Sequence, residues 1–183
     1  MTCIVGVVEK GIVHIGGDSA GVGGYRIQSR LDPKVFKRGP FVIGFTSSFR
    51  MGQILQHKLQ TPEHPASMDD FAFMVTRFID NVRECLKNVG FASKSNEVEE
   101  GGTFLVGYRG KLYEIEGDYQ VAMQAQPYAA VGCGQDLALG AMFALDPTLD
   151  PVAHIRLLLR QQRGSRRASV DHSTSFKANQ PNR

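Results

Sequence analysis

The chain has 183 residues, 42% of them apolar, and a formal net charge of +3, which are ordinary values for one globular domain. No stretch approaches the roughly 20 consecutive apolar residues of a membrane span, and residues 2–8 are too short an apolar run for a signal peptide. Three cysteines without metal-ligand spacing indicate no metal site and favour a reducing, cytoplasmic location.

The positive charge is concentrated near the end of the chain. Residues 160–183 hold six basic residues and one acidic residue, so they carry +5, and subtracting this from +3 leaves −2 for the rest. A mildly acidic body gives no reason to expect a nucleic-acid partner outside the tail.

Strand patterns dominate the start of the chain. Residues 2–8 and 12–17 are rich in Ile and Val and flank a turn that contains glycine, which predicts a hairpin. Residues 18–33 contain several glycines and are expected to form a loop. A second hairpin is predicted for residues 35–36 and 41–45.

Helical patterns follow the second hairpin. Ser47 or Ser48 is suited to cap a helix that ends near Leu59, and apolar residues at helical spacing predict a long helix from about Asp69 to Asn88. The polar residues 90–102 separate that helix from a second group of strands. Those strands are expected at residues 103–108, 111–115, 121–123 and 129–131.

Two more helices are predicted near the end of the domain, at residues 134–145 and 150–162. The second opens with Asp150 followed by Pro151, a typical cap and first helical residue. Runs of strands and runs of helices, rather than strict βαβ alternation, predict an α+β fold with antiparallel sheets.

Three residues in the first hairpins have the types and spacing of a catalytic set. Thr2 follows Met1, Asp18 comes sixteen residues after Thr2, and Lys34 sixteen residues after Asp18. Methionine removal requires a small second residue, which threonine is. Thr2 would then carry a hydroxyl nucleophile and a free α-amine that titrates near about 7.7–8.0 and can act as its base.

These residues and their surroundings resemble the opening of proteasome β-subunits and of the bacterial two-ring peptidase HslV, both N-terminal nucleophile hydrolases. The resemblance rests on Thr2-Cys3-Ile4-Val5-Gly6-Val7, on the turn Glu9-Lys10-Gly11, on Val13-His14-Ile15-Gly16-Gly17-Asp18 and on the spacing to Lys34. It covers about residues 2–160 and implies a four-layer αββα sandwich, in which two antiparallel sheets lie between helical layers.

The resemblance implies a role for each of the three residues. Thr2 is the nucleophile, the Lys34 ammonium lowers the pKa of its hydroxyl, and Asp18 holds Lys34 charged through a buried ion pair. Taken singly, each residue has an ordinary reading: a strand threonine, an exposed strand lysine and a turn aspartate. Implied by the resemblance, too, is an oxyanion donor after the strand 41–45, where the Ser47 N–H stands in place of the family's usual glycine.

A second motif is expected to support the nucleophile. Gly132-Cys133-Gly134 resembles the family's Gly-Ser-Gly, whose serine hydrogen-bonds near the nucleophile's amine, and cysteine is a weaker donor. Cys133 is also a rival nucleophile, although no histidine stands at a recognisable catalytic spacing from it.

The family resemblance implies a threonine endopeptidase that needs no cofactor and acts on polypeptides. It further implies a homo-oligomer, as a ring or double ring, with an ATPase unfoldase as a possible partner and the helix Asp69–Asn88 as a candidate interface. Two alternatives stay open, a catalytically silent ring or scaffold subunit and a small-molecule amidohydrolase on the same fold.

The resemblance does not extend to the end of the chain. Residues 1–162 are predicted to form the hydrolase domain, and residues 163–183, with few apolar side chains, a basic and disordered tail. The abrupt loss of apolar pattern after Leu159 also suggests a frameshifted C-terminus, which resequencing the gene would test.

Overall fold

The computed structural model describes residues 2–23, 26–91, 93–95, 98–144, 150, 153, 155–156, 159 and 176–178. All strand pairs within these ranges are antiparallel. The strands are β1 (Ile4–Glu9), β2 (Ile12–Gly17), β3 (Ala20–Gly23), β4 (Arg26–Ser29), β5 (Val35–Arg38), β6 (Phe41–Phe45), β7 (Ser93–Ser95), β8 (Val98–Glu100), β9 (Phe104–Tyr108), β10 (Lys111–Ile115), β11 (Val121–Met123), β12 (Tyr128–Val131) and β13 (Phe176–Ala178).

The helices begin where the sequence supplies capping groups. The Ser48 side chain accepts a hydrogen bond from the Met51 N–H, and Asp69 accepts from Phe71 and Ala72, which satisfies donors of the first helical turns. A π-helical turn, Met74–Phe78, joins the second and third helices into one continuous helix. The helices are α1 (Phe49–Lys58), α2 (Asp70–Phe73), α3 (Ile79–Asn88) and α4 (Gln135–Ala144).

Two sheets lie face to face between helical layers. One sheet has the strand order β12-β1-β2-β13 and the other β11-β10-β9-β6-β5. Side chains such as Ile4, Val42 and Leu105 fill the space between the sheets. The helices from α1 to α3 cover the outer face of the five-stranded sheet, and α4 covers the other sheet together with Ile155 and Leu159. The predicted α+β, four-layer sandwich is therefore confirmed.

Most of the helices and strands were predicted from the sequence, but the strands within residues 18–33 were not. They were expected to form a loop, yet they contain the antiparallel strands β3 and β4, in which Val22 pairs with Ile27. The polar segment 90–102 likewise contains the paired strands β7 and β8. In both places a short two-stranded ribbon lacks the long apolar alternation that identifies a strand in sequence.

The end of the chain differs from its prediction at three residues. Phe176–Ala178 pair with β2, whose backbone groups would otherwise be a free sheet edge, instead of being disordered. The other residues of 163–183 lie outside the described residues, so the division at residue 162 stays a prediction. Of the predicted helix 150–162, residues 153, 155, 156 and 159 are described as helical, and Asp150 caps it by accepting from the Ala153 N–H.

Within the described residues, no helix is both long and apolar enough to cross a membrane.

The close approach of the two sheets predicts that Gly44 tolerates no side chain. A Cβ there would lie 2.5 Å from Ile4 Cγ2 and 2.8 Å from Ile15 Cγ2. We expect Gly44→Ala to lower the free energy of unfolding by about 1–3 kcal/mol in urea titration, because the core must shift to admit the methyl group. Gly140→Ala is the control, since it meets nothing within 4 Å and gains up to about 1 kcal/mol of helix propensity. An unchanged Gly44→Ala midpoint would contradict this packing.

Candidate active site

The strand registers bring five segments to one end of the sandwich. In the four-stranded sheet, Ile4 pairs with Gly17 and with Val131, so the residues just before β1 lie beside those just after β2 and β12. In the other sheet, Val35 pairs with Gly44, so the residue before β5 lies beside the end of β6. The predicted site residues Thr2, Asp18, Lys34, Ser47 and Gly132 all occupy these positions.

Lys34 is the centre of this group. Its Nζ donates to Thr2 Oγ1 at 3.0 Å, to Asp18 Oδ1 at 2.8 Å and to the Ala20 carbonyl at 2.6 Å. An ammonium has three donors, so all of them are satisfied. The residue is only 3% exposed. Burial lowers the pKa of Lys34 below its ordinary value, and the Asp18 carboxylate opposes that effect.

Asp18 is held by the backbone on both sides. Its Oδ2 accepts from the Cys3 N–H at 2.5 Å, and its Oδ1 accepts from the Ala20 N–H at 2.8 Å. The Asp18 N–H in turn donates to the Cys3 carbonyl at 3.2 Å. The carboxylate therefore links the backbone next to Thr2 directly to the ammonium of Lys34.

Ser47 has a left-handed backbone, a conformation that glycine adopts at no steric cost. Its φ is 66°, in the left-handed region that costs a non-glycine residue about 1–2 kcal/mol. The neighbouring backbone donors already have acceptors. The Ser48 N–H donates to the Thr46 carbonyl, and the Thr46 N–H donates to the Thr103 carbonyl. Among the described residues, no acceptor lies within hydrogen-bond distance of the Ser47 N–H. This strained, exposed position leaves a backbone donor available to a ligand.

The segment after β12 packs on the backbone of Thr2. The Gly134 N–H donates to the Thr2 carbonyl at 3.3 Å. Gly132 has a φ of 99°, and a Cβ there would lie 2.4 Å from the same carbonyl oxygen. Cys133, between them, is exposed and free of a disulfide. Gly132 and Gly134 therefore lie against the backbone of Thr2, with Cys133 between them.

Two features of the site escaped the sequence reading. The Ala20 carbonyl is the third acceptor for Lys34, which was hidden because residues 18–33 were expected to form a loop. The Phe49 ring lies beneath two cations, with Arg30 Cζ at 3.9 Å and Lys34 Nζ at 5.4 Å from its centroid. Arg30 also pairs with Asp32 through two hydrogen bonds, which lower the pKa of Asp32.

The described residues contain no group of three or more His, Cys, Asp or Glu side chains arranged to hold a metal ion. The chemistry available at the site is instead that of a hydroxyl beside a buried ammonium, with an unpaired backbone N–H at the end of a neighbouring strand. Such groups suit nucleophilic attack on a carbonyl, because each stabilises negative charge on oxygen.

The four-layer sandwich is the fold that the resemblance to N-terminal nucleophile hydrolases implies. No protein-family model and no curated protein matches the sequence. Solved structures do match it. BPH of Thiobacillus denitrificans, a bacterial proteasome-like protein solved in complex with epoxomicin, is 21% identical with a TM-score of 0.77, over 96% of this chain and 97% of that one.

Two further structures share the fold. HslV of Trypanosoma brucei is 19% identical with a TM-score of 0.65, over 96% of this chain and 98% of that one. Anbu of Yersinia bercovieri is 14% identical with a TM-score of 0.62, over 97% of this chain and 81% of that one. The chain thus has the fold of the proteasome β-subunit and HslV proteins, and the predicted resemblance is confirmed at the level of the fold.

The buried ion pair predicts a specific effect of Asp18→Asn. The variant leaves the Lys34 ammonium buried without a counter-charge, so we expect it to lose about 2–4 kcal/mol of stability near neutral pH. The pKa of Lys34 lies below 10.5 in the folded protein, and the loss of Asp18 lowers it further. Between the pKa of Lys34 in the folded variant and its higher pKa in the unfolded chain, the unfolded chain binds more protons. The stability of the variant should therefore rise with pH over this range.

Urea titrations of Asp18→Asn at several pH values measure this effect. Asp32→Asn is the matched control, because it breaks a half-exposed ion pair and should lose less than about 1 kcal/mol. Equal losses for the two variants, or a loss for Asp18→Asn that does not shrink as pH rises, would refute the role given to Lys34.

The left-handed backbone of Ser47 predicts the order of two variants. Ser47→Ala and Ser47→Gly both remove the hydroxyl that accepts from the Thr103 N–H. Only glycine relieves the left-handed strain, so Ser47→Gly should be more stable than Ser47→Ala by about 1 kcal/mol. Thermal or urea unfolding of the pair tests this, and an alanine variant as stable as the glycine variant would contradict it.

Proposed function

We propose that this protein is an N-terminal threonine hydrolase that cleaves peptide bonds once Met1 is removed. The observation that carries the proposal is the 3.0 Å hydrogen bond from the buried Lys34 ammonium to Thr2 Oγ1. A positive charge beside the hydroxyl lowers its pKa and stabilises the alkoxide as it forms.

The reaction begins when Thr2 Oγ1 attacks the carbonyl carbon of the substrate. The free α-amine of Thr2 accepts the hydroxyl proton, and the carbonyl π electrons move to oxygen. The Ser47 N–H donates to that oxyanion. The C–N bond of the substrate then breaks, the leaving amine takes the proton from the α-amine of Thr2, and an ester of the Thr2 hydroxyl remains. Water, with the same α-amine as base, hydrolyses the ester and frees the hydroxyl.

The loop of Gly132, Cys133 and Gly134 holds Thr2 for this attack. Its contacts with the Thr2 carbonyl fix the backbone from which both reacting groups project. The Cys133 thiol stands where the related proteins carry a serine, and it serves as a weaker hydrogen-bond donor near the α-amine. We assign it a supporting role rather than that of a nucleophile, because no base among the described residues hydrogen-bonds to its sulfur.

The structural neighbours support peptide substrates over small amides. BPH was solved with epoxomicin, and HslV and the proteasome-like proteins share the whole fold rather than one part of it. We extend the proposal to a cytoplasmic homo-oligomer, as a ring or double ring, in which an ATPase unfoldase supplies polypeptides. The 1–162 domain would form the catalytic body, and 163–183 a separate tail.

One observation favours the alternative of a catalytically silent subunit. Cys133 replaces the family's serine, which weakens the hydrogen bonding near the α-amine. If Met1 is retained, the nitrogen of Thr2 is an amide and cannot act as a base, so Asp18 and Lys34 would have a structural role only.

Intact-mass spectrometry with epoxomicin, an epoxyketone, tests the proposal. An epoxyketone can accept attack from both a hydroxyl and an amine, so a residue carrying both forms a stable adduct that retains the whole inhibitor. We expect the purified protein to lack Met1 and to gain one inhibitor mass at Thr2. The adduct rate should rise as the α-amine loses its proton near about pH 7.7–8.0 and fall at higher pH as Lys34 loses its own.

Variants of the site provide the controls for this measurement. Thr2→Ala should form no adduct, and Thr2→Ser should retain one because it keeps the hydroxyl and the amine. Lys34→Met should react at least about 100-fold more slowly, as expected when a group that stabilises the transition state is lost. Retained Met1 with no adduct would favour the silent subunit. Turnover of small amides but not of peptides would favour the amidohydrolase.

A further inference from the structure

Tyr119, in the turn between β10 and β11, has a strained backbone and a buried ring. Its φ is 69°, in the left-handed region that residues other than glycine rarely adopt. The residue is only 8% exposed, and among the described residues its hydroxyl has no hydrogen-bond partner. Both features are unfavourable, and such features persist only where the surrounding packing holds the residue in place.

The ring of Tyr119 packs on the segment that leads into β9. A Cβ at Gly101 would lie 2.8 Å from Tyr119 Cε1 and 3.0 Å from the Tyr119 hydroxyl oxygen. The backbone of this segment is also tied to the turn of Tyr119, because the Gly101 N–H donates to the Gly117 carbonyl at 2.8 Å. The ring therefore lies directly against the backbone of Gly101 and leaves no room there for a side chain.

The two residues after Gly101 contact Ser47. A Cβ at Gly102 would lie 3.3 Å from Ser47 Cβ. The Thr103 N–H donates to Ser47 Oγ at 3.2 Å, and the Thr103 carbonyl accepts from the Thr46 N–H at 3.1 Å. Thr103 therefore holds the chain on both sides of the peptide that carries the Ser47 N–H.

Arg83 on α3 fixes the ring of Tyr119 to the long helix. Its Cζ lies 5.8 Å from the centre of the Tyr119 ring, within the range of a cation–π interaction. The same guanidinium donates to Glu99 Oε2 through Nη2 at 2.8 Å and through Nε at 3.1 Å. Because Glu99 lies two residues before Gly101, α3 holds both the ring and the segment on which the ring packs.

We propose that Tyr119 is a positioning residue for the oxyanion donor. Its ring holds the segment Gly101–Thr103, and Thr103 holds Ser47 in the left-handed conformation that directs its N–H toward a carbonyl bound at Thr2. The two strained residues, Ser47 and Tyr119, are thus linked by one short segment. The inference rests on the proposed function, because that function gives the Ser47 N–H its role in the reaction.

Three substitutions of Tyr119 separate the ring from the backbone. Tyr119→Phe keeps the ring, Tyr119→Ala removes the ring and keeps the strain, and Tyr119→Gly removes both. We expect the maximal rate of epoxomicin adduct formation to be unchanged in Tyr119→Phe, because the hydroxyl has no partner among the described residues. It should fall about 10- to 100-fold in the other two, since attack on the ketone places negative charge on the oxygen that Ser47 serves. The inhibitor concentration for half-maximal rate should change less than about threefold, because the loss concerns the transition state rather than binding.

Leu59→Ala is the matched control for a cavity in the same core. Leu59 is fully buried in the hydrophobic cluster that contains Tyr119. It follows the last residue of α1, about 15 Å along that helix from the end next to Ser47. Leu59→Ala should therefore lower the unfolding midpoint as Tyr119→Ala does, yet form the adduct at the wild-type rate.

Crystal structures of the variants measure the positioning without any reaction. In Tyr119→Ala and Tyr119→Gly, the φ of Ser47 should leave its value of 66° and the 3.1 Å hydrogen bond from Thr46 to Thr103 should lengthen. Neither should change in Tyr119→Phe or Leu59→Ala. If Tyr119→Ala lacks a cooperative unfolding transition, Gly101→Ala replaces it, because the added methyl group displaces the intact ring and should slow the adduct to the same extent.

Three outcomes would overturn the positioning role. They are wild-type adduct rates in Tyr119→Ala, a rate restored by Tyr119→Gly or lost in Tyr119→Phe, and an unchanged Ser47 backbone in the crystals of Tyr119→Ala. Failure of the proposed function looks different. A wild-type protein that forms no adduct would remove the chemistry, while the crystal structures would still decide whether Tyr119 holds Ser47.

Discussion

The burial of one ammonium group organises this end of the molecule. A lone charge inside a protein is strongly unfavourable, so Lys34 requires an acceptor for each of its three protons and a counter-charge. Asp18 supplies the charge, Ala20 a carbonyl and Thr2 the hydroxyl. Each partner lies in or next to a paired strand, so the position of the threonine hydroxyl follows from strand pairing rather than from local sequence alone.

The sequence predicted the parts of the site that depend on strand order. A six-residue strand, a tight turn and a returning strand bring Asp18 opposite Cys3 whatever side chains fill the core between them. The same reasoning places Lys34 at the start of the next hairpin. Short, strongly apolar strands and a serine cap before α1 are local features, which is why they could be located without the structure.

The remaining features depend on contacts that no local pattern records. The Ala20 carbonyl reaches Lys34 from strand β3, which pairs with β4, and the glycines of this segment hid both strands in the sequence. The π-helical turn at Met74–Phe78 adds a residue to one turn of a helix whose apolar spacing looked regular. The strand Phe176–Ala178 forms because β2 has an edge to cover, which is a property of the sheet and not of those three residues.

Several groups at the site are backbone atoms: the Ser47 N–H, the Ala20 carbonyl and the Cys3 N–H that holds Asp18. A backbone atom is present whichever amino acid occupies the position, provided that the chain can adopt the local conformation. This arrangement is therefore specified mainly by the conformation of the backbone, and only a few positions require a particular amino acid. A protein built in this way can change most of its residues while the geometry around its first threonine stays the same.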